Sequence, residues 1–532
     1  MDKKTLIENG QTALGMEFGS TRIKAVLTDL EGQVLATGVY DWENHLIDNI
    51  WTYGLDEIHA GVSGCYASLR QNVLEEYGIM PETIGAIGIS AMMHGYMALD
   101  KDGNQIAPFQ TWRNTNTQEA ADELTDRFQF NIPLRWTAAH LYQRVLDGEE
   151  HVHDLDFVST LAGYIHLKLT GCRVIGIGDA SGMFPIDPDT ADYDAGMMEQ
   201  FDEMLKSHGC EHSAWDLFPK VLVAGEPAGN LTEEGAAFLD ETGTLKPGIP
   251  FCPPEGDAGT GMVATNSIAP RTGNISAGTS TFAMIVLEHS LKELHREIDI
   301  VMTPDGSPVA MSHANNGTSD LNAWVGIFSE FCELMGIDAT MGELYDKLYI
   351  NSLQGDKDCG GLLAYGYYSG ENVTMINEGR LALLRTANSN FTLANLMRVH
   401  LYTSLGAVKA GMDILTDEEN VRIDRITGHG GFFKTKGVGQ KYLAAAVHTP
   451  VTVMDTAGEG GAWGIALLAA WMIGKQGTET LADYLDNRVF TSMTGTTIEP
   501  DERDEEGFEV FMERYLAGLE IEKKAIEVMD WN

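Results

Sequence analysis

Apolar and polar residues alternate along this chain with two different periods, which together predict a mixed α/β protein. Short apolar runs bounded by turn residues have the length of buried strands, whereas other segments place apolar residues three or four positions apart, as amphipathic helices do. Strands are therefore predicted over residues 23–27, 34–40, 84–90 and 298–303, a hairpin over 274–287, and helices over 55–73, 117–128, 159–169, 321–335, 393–415 and 508–519.

One strand-turn-strand pattern occurs twice. The segment GMEFGSTRIKAVLTD contains Gly19, Ser20 and Thr21 between two apolar runs, and NISAGTSTFAMIVL contains Gly278, Thr279 and Ser280 in the same arrangement about half a chain length later. Two unrelated hairpins would also give such turns, because Gly, Ser and Thr are common turn residues. The matched flanking runs favour an internal duplication.

The repeated turns are candidates for phosphate binding. Glycine permits a positive φ, which turns successive backbone N–H groups into one concave nest, and such nests bind phosphate oxygens. We expect two facing nests to bind one triphosphate.

The duplication predicts two domains, 12–268 and 269–532. The Pro-, Gly- and Asp-rich segments 186–196 and 246–261 are interpreted as an insertion and a domain junction, respectively. The acidic tail from residue 500 to 527 is predicted to be a surface helix that docks on the second domain.

The composition of the chain restricts the classes of partner that the protein can bind. A formal net charge of −43 in 532 residues argues against nucleic acid and anionic membranes as partners, because both require clustered Lys and Arg. The same negative charge repels a nucleotide, so an ATP site must rely on local amides and a divalent cation. Mg²⁺ is therefore required if this protein binds ATP.

The amino terminus lacks the apolar core of a secretion signal, and the six cysteines have no paired spacing, so a cytoplasmic protein with free thiols is expected.

The junction segment supplies the candidate for catalysis. In FCPPEGDAGTGMVATN, Asp257 lies in a Gly-rich turn before a predicted short helix. A carboxylate near a bound γ-phosphate can accept the proton of an attacking hydroxyl, which is the main demand of phosphoryl transfer on a base. The alternative is that Asp257 caps the helix or shapes its turn.

Six segments in order resemble the FGGY carbohydrate kinases, a family with a duplicated ribonuclease H-like, actin/hexokinase-type ATPase fold of two domains and a central cleft. The resemblance covers nearly the whole chain. It is carried by the two turn motifs, by AIGISAMMHGYMALDKDG with PFQTWRNTNT, by GDASGMFPID, by EGDAGTGMVATN, and by ITGHGGFFKTKGVGQKYLAAAVHTPVTV with GEGGAWGIALLAA.

The resemblance implies a role for individual residues. Asp257 would be the general base, Met93 and His94 match a pair that contacts the ketose in xylulokinases, and Trp112 matches an aromatic residue near the sugar. The nucleotide would contact a larger set, namely Gly19, Ser20, Thr21, Gly278, Thr279 and Ser280 at the phosphates and Gly430 and Gly431 at the adenosine. The glycines at 430 and 431 would allow close approach of the base, although a plain loop is the alternative there.

This chain departs from the family pattern at three places. Glu17 stands where the family usually has an Asp that orders Mg²⁺, and its extra methylene requires the metal or the backbone to shift. Met92 stands where xylulokinases commonly have Gln, and Arg113-Asn114 replace a more usual Asn-Asp. The last two departures border the sugar and predict a difference in substrate.

The resemblance implies an ATP-dependent kinase that phosphorylates a small sugar, with a ketopentose such as xylulose, modified at its terminal hydroxyl, as the leading substrate. Ribulose, fuculose, erythritol and glycerol remain alternatives within the family. A nucleotide-driven switch of the actin or heat-shock kind is the alternative outside it. The sequence leaves the oligomeric state open, and a homodimer is one candidate.

Overall fold

The computed structural model describes residues 2–454 and 460–529, and these form a mixed α/β protein. The strands, numbered along the chain, are β1 Ala13–Phe18, β2 Arg22–Thr28, β3 Val34–Asp41, β4 His45–Ile47, β5 Ile50–Thr52, β6 Ala86–Ala91, β7 Met97–Leu99, β8 Phe157–Ser159, β9 Val174–Gly176, β10 Ile186–Asp187, β11 Asp192–Tyr193, β12 Lys220–Leu222, β13 Glu255–Gly256, β14 Thr272–Ala277, β15 Thr281–Val286, β16 Ile298–Met302, β17 Pro308–Ala314, β18 Leu363–Gly366, β19 Leu381–Leu384, β20 Arg425–His429, β21 Val451–Met454 and β22 Gly495–Ile498.

The helices are numbered in the same way. They are α1 Lys3–Glu8, α2 Leu55–Tyr77, α3 Gln118–Phe128, α4 Thr137–Leu146, α5 Leu161–Thr170, α6 Ile177–Ala180, α7 Ala195–Ser207, α8 Ala214–Leu217, α9 Glu233–Leu239, α10 Asp257–Ala264, α11 Ser319–Leu334, α12 Met341–Ser352, α13 Leu393–Asp413, α14 Val438–Val447, α15 Gly460–Gly474, α16 Leu481–Tyr484 and α17 Glu502–Val528. In the part of the chain that the structure describes, no helix combines the length and apolar character that a membrane crossing requires.

The predicted elements are confirmed, with small shifts at their ends. The helix predicted over 55–73 is α2 and continues to Tyr77, and the strand predicted over 84–90 is β6 and begins at Ala86. The predicted insertion at 186–196 contains the short hairpin of β10 and β11.

The chain forms two compact units. The first contains Met1–Ile268, Ile300–Val309 and Thr456–Met493, and the second contains Ala269–Asp299, Ala310–Asp455 and Thr494–Asn532. The chain passes from the first unit to the second after Ile268, but two later segments also belong to the first unit. A single division of the chain into two consecutive domains does not anticipate this arrangement. The functional assignment of 12–268 and 269–532 stays a prediction.

The first unit is built on a five-stranded sheet with the order β13-β6-β1-β2-β3. Strands β1, β2 and β3 are antiparallel neighbours, while β1, β6 and β13 run parallel to one another. The apolar stripe of α2, which includes Ile58, Val62 and Leu69, is buried in the core of this unit. A Cβ on Gly38 of β3 would come within 2.5 Å of the Leu69 backbone nitrogen, so a glycine there lets the helix lie close to the sheet.

Helix α15 belongs to the first unit although it lies late in the sequence. It approaches β1 so closely that a Cβ on Gly15 would lie 2.1 Å from the Ala462 carbonyl oxygen. Similarly, a Cβ on Gly464 would lie 2.0 Å from the Thr260 carbonyl oxygen in α10. These two glycines therefore bring the amino-terminal end of α15 to the strand and helix that carry the candidate catalytic residues.

The second sheet repeats the central pattern of the first. Its order is β16-β17-β15-β14-β20-β21-β22. In it, β14 and β15 form an antiparallel hairpin, and β14, β20 and β21 are parallel. The hairpin of β1 and β2 beside the parallel strands β6 and β13 has the same arrangement, which agrees with an internal duplication.

A buried carboxylate attaches α17 to the second unit. Asp504 Oδ1 accepts hydrogen bonds from Arg398 Nη2 at 2.8 Å and from Lys357 Nζ at 2.5 Å, and Asp504 Oδ2 lies 2.7 Å from Lys441 Nζ. The side chains of Asp504 and Arg398 are both fully buried. Burial alone would raise the pKa of Asp504, but the hydrogen bonds from Lys357 and Lys441 hold it below its usual range. The predicted docking of the tail helix is thus confirmed.

We expect Asp504→Asn to destabilise the protein by about 3–5 kcal/mol, because it leaves the buried Arg398 guanidinium without its counter-charge. Urea unfolding followed by tryptophan fluorescence would measure the change. Glu513→Gln is the control, since Glu513 lies on the same helix and is exposed. Equal stabilities for the two variants would contradict the role given to Asp504.

Candidate active site

The candidate catalytic residues lie where three parallel strands end. Glu17 is near the end of β1, Met93 follows β6, and Asp257 follows β13. Glu17 pairs in register with Ser90 of β6, and Ser90 pairs with Glu255 of β13. Because parallel strands end at the same edge of a sheet, residues far apart in sequence are brought together there.

Asp257 is the first residue of α10, and Gly256 occupies the capping position before it. Its Oδ1 accepts a hydrogen bond of 3.0 Å from the Met93 backbone amide. The residue is exposed to solvent, yet burial among the surrounding protein atoms raises the pKa of the carboxyl, opposed by the Met93 hydrogen bond. The Met93 amide holds the side chain toward the end of β6, and the amide of Ala258 in the first turn of α10 also favours its charged form.

Glu17 lies against the amino terminus of α15. Its Oε2 accepts a hydrogen bond of 3.2 Å from the Ala462 amide, and a Cβ on Gly461 would lie 2.3 Å from its Oε1. Burial and then the negative charge of Asp257 raise the pKa of Glu17 to about 7. Both carboxylate oxygens of Glu17 therefore lie against the first residues of α15.

Met93 and His94 are almost fully buried, and their backbone is strained. His94 has φ of 72° and Gly95 has φ of 98°, and a left-handed conformation is uncommon in a non-glycine residue. His94 Nδ1 lies 3.3 Å from the Gly182 carbonyl oxygen. A Cβ on Gly182 would come within 2.6 Å of that ring nitrogen and 2.8 Å of the Met93 methyl group, so the GDASGMFPID segment packs directly against this pair.

Trp112 is half-buried and packs on the core of the first unit. The residues that depart from the family pattern fix its loop. Asn114 exchanges two hydrogen bonds with the backbone of Trp51, of 2.9 and 2.8 Å, and the Arg113 guanidinium stacks 3.8 Å above the Trp51 ring. Arg113 and Asn114 therefore attach the Trp112 loop to strand β5.

The two predicted phosphate loops differ from expectation in their backbone. Neither Gly19 nor Gly278 has a positive φ, so the proposed left-handed nest is wrong at both positions. Instead each turn is closed by the glycine amide, which donates to Arg22 O at 3.0 Å in the first loop and to Ser280 O at 2.9 Å in the second. Within the described residues, the amides of Ser20, Thr21, Thr279 and Ser280 have no protein acceptor. These amides remain available to an anion.

Carbonyl groups anchor both loops. The Trp42 indole donates to Gly19 O at 2.7 Å and the Tyr53 hydroxyl donates to Ser20 O at 2.6 Å. In the second loop, the Thr318 amide and hydroxyl donate to Gly278 O at 2.8 and 2.9 Å. Both turns are therefore held through their carbonyl groups, which leaves these bonds independent of the N–H groups.

Gly430 and Gly431 follow β20, which is parallel to β14, so they end at the same edge of the second sheet as the Gly278 loop. Gly430 has φ of 102°, and a Cβ there would lie 2.5 Å from the Ala277 carbonyl oxygen. A Cβ on Gly431 would meet no protein atom within 4 Å. The same role is predicted for both glycines, but at Gly430 the strand backbone already excludes a side chain, and of the two only Gly431 faces open space.

Sequence reasoning missed two buried acids beside Asp257. Glu255 accepts hydrogen bonds from the amides of Gly178 and Asp179, at 3.3 and 3.0 Å, and Asp179 Oδ2 accepts one of 2.6 Å from Thr160 Oγ1. Both acids lie in segments recognised by resemblance, without a role assigned. An Asp flanked by small residues within an apolar stretch was the available signal.

Models of the FGGY family of carbohydrate kinases match most of the chain, with the N-terminal domain at residues 12–264 and the C-terminal domain at 273–473. A xylulose kinase of Haemophilus influenzae is 22% identical over 415 residues, which cover 76% of this chain and 78% of the relative. An L-fuculokinase of Escherichia coli is 24% identical over 261 residues, covering 45% of this chain and 49% of the relative.

The fold is that of solved sugar kinases. The structure of a ligand-bound xylulose kinase from Lactobacillus acidophilus superposes with a TM-score of 0.78 at 16% identity, over 97% of this chain and 99% of the other. The predicted α/β class with a duplicated ribonuclease H-like, actin/hexokinase-type fold is confirmed.

The raised pKa of Glu17 predicts a pH effect on stability. Because the folded state retains this proton to a higher pH than the unfolded state does, stability falls as the pH rises from about 4.5 to about 7. Glu17→Gln cannot ionise, so its free energy of unfolding should fall less over that interval than that of the wild type. Urea unfolding in metal-free buffer at several pH values measures this difference.

Glu43→Gln is the matched control, because Glu43 is exposed and should leave the pH dependence unchanged. If Glu17→Gln also followed the wild-type curve, the titration of Glu17 in this interval would be refuted.

Proposed function

Because the chain belongs to the FGGY family of carbohydrate kinases, and so is an ATP-dependent sugar kinase, we propose that it transfers the γ-phosphoryl group of ATP to the terminal hydroxyl of a ketopentose such as xylulose. One observation carries the proposal for the site: the Asp257 carboxylate is held by the Met93 amide, beside a strained His94, at an edge of the sheet where three parallel strands end.

Asp257 is the proposed general base. Its carboxylate accepts the proton of the sugar hydroxyl as that oxygen forms a bond to the γ-phosphorus and the bond to ADP breaks. The raised pKa makes Asp257 a better proton acceptor than an ordinary Asp. The Met93 hydrogen bond fixes the direction of the carboxylate, and such positioned acid–base groups contribute about 100- to 10,000-fold to rates.

Met93, His94 and Trp112 are the proposed sugar contacts. The packing of Met93 and His94 against Gly182 supports a rigid surface for the substrate. Xylulose is the leading substrate because xylulose kinases occur among both the sequence relatives and the solved structures of similar fold. The L-fuculokinase relative supports the alternative of another family substrate, such as fuculose, ribulose, erythritol or glycerol.

The nucleotide contacts are also proposed. The unpaired amides of the loops at Gly19–Thr21 and Gly278–Ser280 suit phosphate oxygens, and the open face of Gly431 suits the adenosine. Glu17 Oε1 is the proposed protein contact of Mg²⁺, which when bound would neutralise phosphate charge. Within the described residues no three acidic, His or Cys side chains form a metal cluster, so water and phosphate would complete the coordination.

The remaining features are proposed from the sequence. We place the protein in the cytoplasm, with a small-molecule sugar and ATP as its ligands and neither nucleic acid nor membrane as a partner. A homodimer is the candidate assembly.

We expect ATP turnover to depend on added sugar and to be fastest with a ketopentose. ADP release measured with xylulose, ribulose, fuculose, erythritol and glycerol tests this.

Asp257→Asn should bind ATP normally, but its rate of sugar phosphorylation should fall by at least about 100-fold, because the amide cannot accept the proton. Turnover that ignores every sugar would favour the nucleotide switch, and an active Asp257→Asn would remove Asp257 as the base.

The two glycines after β20 provide a matched pair. Gly431→Ala should fold normally, since its Cβ meets no protein atom, and should weaken ATP binding if the adenosine lies on it. Gly430→Ala should lower thermal stability, because its Cβ would collide with Ala277 O and its φ is left-handed. Calorimetry with ATP and thermal melts separate the effects. Unchanged ATP affinity in Gly431→Ala would exclude this glycine from the nucleotide site.

A further inference from the structure

One buried acid is not used by the proposed mechanism. Asp179, in α6, is 1% exposed. Its Oδ2 accepts the 2.6 Å hydrogen bond from Thr160 Oγ1, whereas its Oδ1 is buried without a partner within the described residues. Leaving a carboxylate oxygen buried and unpaired costs free energy, so this arrangement requires an explanation beyond the stability of α6.

The unpaired oxygen lies directly behind the catalytic turn. A Cβ on Gly256 would be 3.2 Å from Asp179 Oδ1 and 2.8 Å from Met93 Cγ. Gly256 immediately precedes Asp257, and Met93 supplies the amide that binds the Asp257 carboxylate. Asp179 Oδ1 therefore contacts the same short segment that directs the base, with no side chain at position 256 to separate them.

Glu255 fixes Asp179 from the other side. The Glu255 carboxylate occupies the space that side chains at Gly176 and Gly178 would fill, since their Cβ atoms would lie 2.2 and 2.4 Å from its oxygens. It accepts the amide hydrogen of Asp179 itself at 3.0 Å. Because Glu255 directly precedes Gly256 in β13, the strand that carries the base also orients the acid behind it.

The electrostatic surroundings of Asp179 are entirely acidic or neutral. The titratable groups that act on it or are affected by it are Asp257 of α10, Glu255 of β13 and the Tyr193 phenol of β11. Its hydrogen-bond donor is Thr160, the residue that precedes α5. Burial and then the Asp257 charge raise the pKa of Asp179 to about 7. Asp179 takes up a proton near neutral pH. Burial raises the pKa of Asp257 as well, but the Met93 amide opposes this and favours its charged form.

We propose that Asp179 is a positioning residue for phosphoryl transfer, whose neutral carboxyl group supports the Gly256–Asp257 turn and leaves Asp257 as the charged member of the pair. The proposal rests on the function proposed above. It gives Asp179 a role through Asp257 and no contact with the sugar or the nucleotide. When Asp179 ionises, its charge acts on Asp257 from behind and disturbs the turn, so activity declines above the pH of that ionisation.

The test compares Asp179→Asn, which is permanently neutral and nearly the same shape, with Asp179→Ala, which leaves a cavity behind the turn. Asp179→Ala should lower kcat about 100-fold, the effect of a displacement of roughly 1 Å at a reacting group, with the KM for ATP little changed. Asp179→Asn should recover most of kcat at neutral pH and stay active to higher pH than the wild type. Asp189→Asn, an exposed substitution in the same segment, is the control.

Full pH profiles of kcat and of kcat/KM, with thermal melts and ATP affinities, decide the outcome. Wild-type kcat in Asp179→Ala would overturn the positioning role, and so would an Asp179→Asn as impaired as Asp179→Ala or one with an unchanged alkaline limb. If Asp179→Ala does not fold, the pH profile of Asp179→Asn decides alone. A wild-type protein that phosphorylates no sugar in the same assay would refute the proposed function, whereas an active wild type with an unaltered Asp179→Asn profile would refute only this inference.

Discussion

The site depends on the hydrogen-bonded alignment of β1, β6 and β13. These strands run parallel, so three segments separated by large stretches of sequence end at one edge of a sheet. Backbone hydrogen bonds define the register, and the register places Glu17 opposite Ser90 and Ser90 opposite Glu255. A slip of one residue would turn each side chain to the other face of the sheet, and the acids at this edge would separate.

The concentration of acidic groups at this edge has an electrostatic consequence. Glu17, Asp179, Glu255 and Asp257 all have raised pKa values, because burial opposes charge. The charge of Asp257 adds to this effect at Glu17 and Asp179, and that of Asp179 adds to it at Glu255. Backbone amides offset part of this cost: Ala462 binds Glu17, Met93 binds Asp257, and the first turn of α6 binds Glu255. The charge of Lys24 also lowers the pKa of Glu17. Amides stabilise these carboxylates without introducing positive side chains that would compete for phosphate groups.

Much of the architecture could be predicted from the sequence because it is encoded locally. The period of apolar residues identified α2 and α13, and the repeated Gly-hydroxyl turns identified two hairpins whose loops follow β1 and β14. The backbone conformation within a turn is harder to predict from the sequence. Gly19 and Gly278 were expected to be left-handed and are not, whereas His94, which follows Met93, is left-handed.

Long-range contacts account for the remaining differences. Nothing near Gly430 in the sequence reveals that Ala277 lies against it, and nothing near Asp179 reveals that Glu255 binds its amide. Both facts arise when separate strands are paired, so they follow from the fold and not from a motif. Likewise, no change of composition indicates that α15 belongs to the first unit, because the sequence pattern of an apolar helix does not reveal which sheet the helix packs against.

The position of α15 in the first unit affects how the chain folds during its synthesis. The backbone of β1 is in direct contact with α15 at Gly15, and α15 is translated long after β1. During synthesis the side of β1 that faces α15 therefore stays uncovered, with exposed apolar surface, until α15 has been translated. A nascent chain of this kind is a natural client for chaperones, and a truncated gene encoding only its first half would give an aggregation-prone product.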